Sequence, residues 1–368
     1  GVDTFAELRI DSDVFVDKSL FIQEFLEGSV GKVTLITRPR RWGKTMNMDM
    51  LQRFLAIEVD EQGNPLPQEQ CLNHKLFAGG EVVVGPKTGK VKRLSPLKIA
   101  QHPDLVSDHQ GQYPVISIGF KDVTGSSYET IEIKIKSQIG RLYRDYSYLK
   151  KYLSDDERLL DDEQKEKLHR YYTGKLNQED VEDSLYFLSQ LLSKHFGQNV
   201  YILMDEYDTP INNTFLKLKG KPKEFDKVLE LFQELFGNAF KGNRYLKRGL
   251  ITGILRVAKA SLFSSINNVQ EYTLFDKQFG TSYGFTQQEV NELFGQVPTS
   301  ATLDQVKHWY NGYKFGDEDA EVLYNPWSIM CCLARGGMLD TYWIDSGGTQ
   351  LVDEALLSDN IQQDRSCC

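Results

Sequence analysis

VTLITRPRRWGKTMNMDMLQRF, residues 33–54, reads as strand, loop and helix. Val33, Thr34, Leu35, Ile36 and Thr37 are apolar or β-branched and make a short buried strand. A Pro- and Arg-rich loop follows, and Met46, Met50, Leu51 and Phe54 then recur at helical spacing. Gly43, Lys44 and Thr45 sit at the junction. A helix N-terminus there would offer backbone N–H groups and the positive end of its dipole to phosphate oxygens, with Lys44 reaching the terminal phosphates and Thr45 a Mg²⁺ ion. The standard pattern has a glycine five residues before Gly43, but this chain has Arg38, then Pro39, Arg40 and Arg41. So degenerate a loop needs a second motif beside it.

Residues 199–208, NVYILMDEYD, supply one. An apolar run ending in adjacent carboxylates suits a buried parallel strand that delivers acids at its C-terminal edge, where open α/β sheets bind ligands. Asp205 is then the Mg²⁺ ligand and Glu206 the base for water. Adjacent acids on a strand point to opposite faces, so a solvated strand end is the plainer alternative. The Gly43-Lys44-Thr45 loop at the end of another apolar strand favours the phosphate reading.

The chain has 368 residues, 40% hydrophobic and 26% charged, enough to bury a large core. A net charge of −9 argues against wholesale wrapping of nucleic acid, which needs a basic face. Cys71, Cys331, Cys332, Cys367 and Cys368 show no CxxC spacing, so metal and disulfide readings are both weak. No apolar run approaches a membrane span and GVDTFAELRID has no signal organisation, so a cytoplasmic protein with no membrane contact is expected. The chain starts at Gly1 without Met, as a fragment would.

Val14 to Leu26 reads as a short strand and helix beside the loop; Asp17 and Lys18 are candidates for base or ribose contact, with a helix N-cap at Asp17 or Ser19 the simpler role. Residues 58–112 lose periodicity and gain turn signals, an insertion with a β-hairpin around GPKTGK that is either a functional loop or a solvated excursion. PVISIGF, residues 114–120, is a second core strand; residues 127–192 are helical; residues 225–240 form an amphipathic helix. RGLITGIL, residues 248–255, is another strand. Strands alternating with helices at this spacing predict a parallel sheet. Thr252 would sense the γ-phosphate or orient water, and Arg256 follows, with a structural ion pair as its plain alternative. Beyond residue 280, Thr286 and Glu289 have capping-box spacing. The tryptophans Trp309, Trp327 and Trp343 fall in an aromatic-rich segment read as the core of a small winged-helix-like lid, with base stacking the sharper alternative.

VDKSLFIQEFL, LITRPRRWGKTMNMDML, YILMDEYDTPI, LITGILRVAKASLFSSINNV, YGFTQQEV, WYNGYKFG and YNPWSI, in that order, resemble the bacterial AAA-ATPase-like family over about Ile10 to Asp345. Its members often carry a PD-(D/E)XK nuclease-like domain after the ATPase. The resemblance implies an α/β P-loop NTPase fold with a central parallel sheet of the additional-strand, catalytic-glutamate type, in which another strand separates the acidic strand from the P-loop strand. It also implies that RPRRWGKT is the phosphate loop, that the missing glycine is a family trait, and that Arg256 and Lys259 lie near the phosphates. The expected organisation is an ATPase core at 1–279 containing the insertion at about 58–112, then a lid at 280–368 cut short at Cys368. No E/D-x-K strand pattern follows, so nuclease activity and nucleic-acid binding would need further sequence.

The expected activity is Mg²⁺-dependent hydrolysis of ATP that drives a conformational switch. Arg40, Arg41, Trp42, Gly43, Lys44, Thr45 and Met46 form the nucleotide cradle, Thr45 and Asp205 hold the metal, and Glu206, Lys44, Thr252 and Arg256 are catalytic. Kinase chemistry has no need of a water-positioning acid such as Glu206. Two rivals remain: a nucleotide-gated scaffold with little turnover, and a DNA-processing module using Arg38, Arg40 and Arg41, arginines more simply read as phosphate and intersubunit contacts. The side chains of Arg40 and Arg41 turn either inward to carboxylates such as Asp205 or Asp208 or outward to another subunit, and in the outward case ATP should promote self-association.

Overall fold

The computed structural model describes residues 4–12, 14–28, 31–85, 89–154, 159–218, 221–254, 262–263, 266, 268–314 and 322–342. Its centre is a sheet of five parallel strands, β1 (Val33–Thr37), β4 (Val115–Gly119), β5 (Val200–Asp205), β6 (Leu246–Gly253) and β7 (Val269–Tyr272). Their order across the sheet is β4-β5-β6-β1-β7. Every residue of β1 and β5 is buried, so both read as near-continuous runs of apolar and β-branched residues and not as alternating ones. β7 is an edge strand, VQEY, with only Tyr272 buried. Its weak apolar signal hides it in the sequence.

The two faces of the sheet can be followed residue by residue. Val200, Ile202 and Met204 of β5 pack with Val33 and Leu35 of β1 into one core cluster. That cluster holds the inner faces of α6 (Tyr128–Asp145), α7 (Asp162–Thr173), α8 (Gln178–Phe196) and α10 (Pro222–Phe240). Tyr201 and Leu203 point the other way, with Ile36 and Leu250, toward α2 (Leu20–Gly28) and α3 (Lys44–Leu55). The period of two along a strand thus assigns Asp205 and Thr252 to the face carrying α3, since they share parity with Leu203 and Leu250. In the β5/β6 register Met204 opposes Ile251, so Asp205 and Thr252 are the next pair along.

Residues 58–112 contain α4 (Leu72–Ala78), the antiparallel hairpin of β2 (Gly80–Gly85) and β3 (Lys90–Leu94), and α5 (Pro103–His109). Leu76, Phe77, Val82, Leu94, Leu97 and Ile99 join the core cluster of α3, so this stretch is packed structure and not a solvated excursion. Ahead of it, α1 (Phe5–Asp11) opens with a capping box of Thr4 and Glu7. α9 (Thr209–Lys217) follows β5.

A second compact unit comprises residues 285–313 and 322–368, described as far as Tyr342. It holds helices Gln287–Gln296, Leu303–Tyr310 and Pro326–Ala334 and, but for Lys314, the strand pair Asn311–Lys314 with Val322–Tyr324. The capping box of Thr286 and Glu289 forms as its spacing predicts. Tyr310, Tyr324 and Tyr342 are core, but Trp309 is 48% and Trp327 39% exposed, so the expectation that the aromatics are interior holds for these three tyrosines and not for these two tryptophans. Trp343 lies outside the described residues.

The C-terminal end of β6 is packed too closely for a side chain. A Cβ at Gly253 would lie 2.4 Å from the Tyr207 ring and 2.7 Å from Asp208 Oδ1. Gly253→Ala is expected to destabilise the protein by about 1–3 kcal/mol, the usual cost of overpacking, measured as a fall in Tm; an unchanged Tm would contradict this packing.

Candidate phosphate-binding site

β1 ends at Thr37, and residues 38–43 lead into α3. Gly43 is the N-cap of α3, at φ 83° and ψ 12°, and makes no side-chain capping bond. A Cβ there would meet nothing within 4 Å, so the requirement for glycine is conformational and not one of space. Arg41, at φ 64°, is also left-handed, and Trp42 between them is not. Alternation of hand along a loop turns successive N–H groups into one concavity, an anion-binding arrangement. A twelve-residue helix whose first turn carries no acid completes that electropositive mouth.

Lys44 is 93% buried. Its Nζ donates to the carbonyls of Arg38 (3.0 Å) and Pro39 (2.8 Å), so the ammonium folds back over its own loop. Burial pulls its pKa below the ordinary lysine value, against the opposing pull of Asp205, Asp208 and Glu206. Asp205 is the hub of the site. Its Oδ2 accepts from Thr45 Oγ1 at 2.5 Å, and its Oδ1 accepts from Thr252 Oγ1 and from the Glu206 N–H at 2.9 Å. These three donors come from α3, β6 and the residue after β5.

Glu206 is not on a strand. β5 stops at Asp205, and Glu206 has φ 52°, so the alternation that would send adjacent acids to opposite faces ends one residue before it. A left-handed non-glycine residue costs about 1–3 kcal/mol and persists where its surroundings over-determine it. Here the Glu206 N–H is held by Asp205, its carbonyl accepts from Thr209 N at 3.1 Å, and its Oε2 accepts from Thr209 Oγ1 at 3.3 Å. Burial, then the neighbouring Asp205 charge, push its pKa above the ordinary glutamate value. Asp208, 1% exposed, accepts from Ile254 N and Asn212 Nδ2, both at 3.0 Å, tying α9 to the end of β6.

Thr45, Asp205, Glu206, Thr252 and Lys44, assigned from the sequence, are thus brought together. Arg40 and Arg41 are exposed on the loop, the indole of Trp42 is wholly buried, and Met46 packs partly against the core. Of these four, Trp42 can serve a ligand only through its backbone. Arg256 and Lys259 lie outside the described residues. Arg38 corrects an expectation: it is 1% exposed, so its side chain is available neither to phosphate nor to another subunit. Asp17 accepts from Ser19 N (2.8 Å) and Lys98 N (2.7 Å), and Lys18 Nζ donates to the Thr281 carbonyl, so both have structural partners. No motif marks Asn47 or Thr209 in the sequence, whereas Asp208 is visible there as the closing acid of DEYD.

The donor set suits Mg²⁺ accompanied by a ligand. Thr45 and Asp205 offer two hard oxygens in mutual contact. No group of three or more His, Cys, Asp or Glu is arranged to hold a metal among the described residues. An ion would therefore take its other ligands from phosphate and water, as Mg²⁺ commonly does.

The parallel sheet, the loop after β1 and the acid after β5 make an α/β fold compatible with the P-loop class. The sequence profile of the predicted AAA-ATPase family matches residues 1–74 and 86–263, and the chain belongs to that family. The matched residues include the loop, β5 and β6. An uncharacterised protein from the vnfD 5′ region of Azotobacter chroococcum mcd 1 is 23% identical over 355 residues, 96% of this chain. The chain spans 55% of that relative's length. No solved structure matches it. No helix among the described residues is long and apolar enough to cross a membrane.

Replacing Thr252 by Val keeps its shape and removes one donor from Asp205. The expected loss is about 1–3 kcal/mol, the scale for a hydrogen bond to a charged group, read from denaturant midpoints. Wild-type stability would show that the Thr252 contact carries no weight.

Proposed function

We propose that the chain binds ATP with Mg²⁺ at residues 38–45 and hydrolyses the β/γ phosphoanhydride, as a P-loop ATPase of the additional-strand, catalytic-glutamate type. The observation that carries this reading is the Thr45–Asp205–Thr252 cluster, which joins an uncapped helix N-terminus to an acid-bearing strand with Glu206 one residue beyond. The placement of β6 between β1 and β5 supports the additional-strand assignment.

Each residue then has a defined task. Backbone N–H groups of residues 40–46 receive phosphate oxygens. Lys44 gives up the carbonyls of Arg38 and Pro39 and neutralises charge that develops on the phosphates. Glu206, whose raised pKa favours proton uptake, accepts a proton from the attacking water. Thr252 keeps Asp205 oriented. Arg256 is proposed to report on the γ-phosphate. Asp205, Glu206 and Asp208 all act on Lys44, with Arg40 as an opposing cation, so a polyphosphate entering beside these carboxylates is better accommodated together with a divalent cation. When bound, Mg²⁺ would supply the compensating positive charge. A cytoplasmic location accords with these substrates.

Lys44→Ala is expected to abolish ATP binding by calorimetry while leaving the circular dichroism spectrum unchanged; wild-type affinity in that variant would remove the assignment. Glu206→Gln is expected to keep ATP bound and to lose about a hundredfold or more in phosphate release, the scale for a positioned base. Equal turnover in both proteins would favour a nucleotide-gated scaffold instead.

The pH dependence has a definite sign. Glu206 acts deprotonated and its pKa is raised above 4.5, so kcat/KM should rise with pH through an acid limb lying above 4.5. That limb should vanish from the residual activity of Glu206→Gln.

A further inference from the structure

Arg38 stands where the standard phosphate loop has its first glycine, yet it does not adopt a glycine conformation: the left-handed positions fall on Arg41 and Gly43. Its backbone belongs to the loop. The Arg38 N–H donates to the Gly253 carbonyl at 3.1 Å, extending the β1/β6 ladder by one residue, and the Arg38 carbonyl accepts from Lys44 Nζ. Its side chain runs into the core. Nη1 donates to the carbonyls of Thr37 (2.9 Å) and Tyr272 (3.1 Å), Nη2 to that of Phe279 (3.2 Å), and the guanidinium lies 5.3 Å from the centre of the Tyr283 ring.

Burying a guanidinium is costly, and carbonyl dipoles offset that cost only if they are held in place. Here they are held. Phe279 is itself left-handed, at φ 61°, and its N–H is fixed by Glu24 Oε1 at 2.5 Å. Glu24 Oε2 accepts from Ser282 Oγ at 2.7 Å, and the Ser282 carbonyl accepts from Asn47 Nδ2 on α3 at 2.8 Å. The segment 279–283 is therefore braced from both ends of the phosphate loop, by Arg38 before it and Asn47 after it. A planar head with several donors can bridge three carbonyls from β1, β7 and this segment; an ammonium cannot do so with the same geometry.

We propose that Arg38 is a positioning residue for the phosphate loop: its buried guanidinium, braced against β7 and residues 279–283, supplies the rigidity that sets the loop for nucleotide. This rests on the ATP-binding reading above. It makes a prediction opposite to the one drawn from the standard motif, because restoring the glycine should harm the site.

The test measures ATP and ADP affinity of the full chain as wild type, Arg38→Gly, Arg38→Lys and Lys44→Ala, with the Tm of each nucleotide-free protein and with guanidinium chloride added at low millimolar concentration. Both Arg38 variants should bind about tenfold or more weakly, and guanidinium should recover part of the affinity of Arg38→Gly but none of that of Lys44→Ala. Folded Arg38→Gly binding within about twofold of wild type, or a lowered Tm with unaltered affinity, overturns the proposal and leaves Arg38 as a structural residue. If Arg38→Gly does not fold, Arg38→Lys decides by the same criterion. Absence of binding by the wild type overturns the ATP reading itself, an outcome separate from equal binding by all the Arg38 proteins.

Discussion

The carboxylate of Asp205 is the point on which the site depends. It receives hydrogen bonds from the first turn of α3, from β6 and from the peptide that follows β5. One acid therefore sets the distance between the helix that follows the loop and two strands of the sheet. That arrangement requires β6 to lie beside β5 and between it and β1, since a hydroxyl at position 252 reaches the acid only from an adjacent strand.

Strain is concentrated around the same edge. The three left-handed non-glycine residues among those described are Arg41, Glu206 and Phe279. Arg41 lies in the loop, Glu206 follows the acidic strand, and Phe279 presents its carbonyl to Arg38. Glu206 and Phe279 are each held by hydrogen bonds that would be lost if the peptide relaxed, so the cost is local and the geometry is shared. Lys44 shows the same balance, with desolvation opposing three nearby carboxylates.

Much of the fold was legible in the sequence because the relevant forces are local or nearly so. The apolar-rich runs at 33–37, 115–119 and 200–205 became strands, and the two that are wholly buried, 33–37 and 200–205, lack the polar alternation of a half-exposed strand. The β2/β3 pairing on either side of GPKTGK and the capping box at Thr286 formed because both join residues close in sequence. β7 was not legible: VQEY at an edge has one paired side and a half-exposed pattern. Nor was the packing of residues 58–112, whose apolar residues are spaced by the path of a hairpin and short helices and follow no single period.

For the site, the sequence by itself determined the chemical inventory: a lysine and threonine opening a helix, two acids closing a strand, a hydroxyl near the end of another. Those assignments hold in one dimension because each depends on the strand or helix carrying it. Only the tertiary structure decided which of them meet. Strand order placed Thr252 against Asp205, the end of β5 and a left-handed peptide released Glu206 from the opposite face, and burial drew Arg38 away from phosphate into a clamp of carbonyls. The reason is physical: pairing across a sheet and the burial of a charge depend on neighbours more than 200 residues away in the chain, as Arg38 and Tyr272 are.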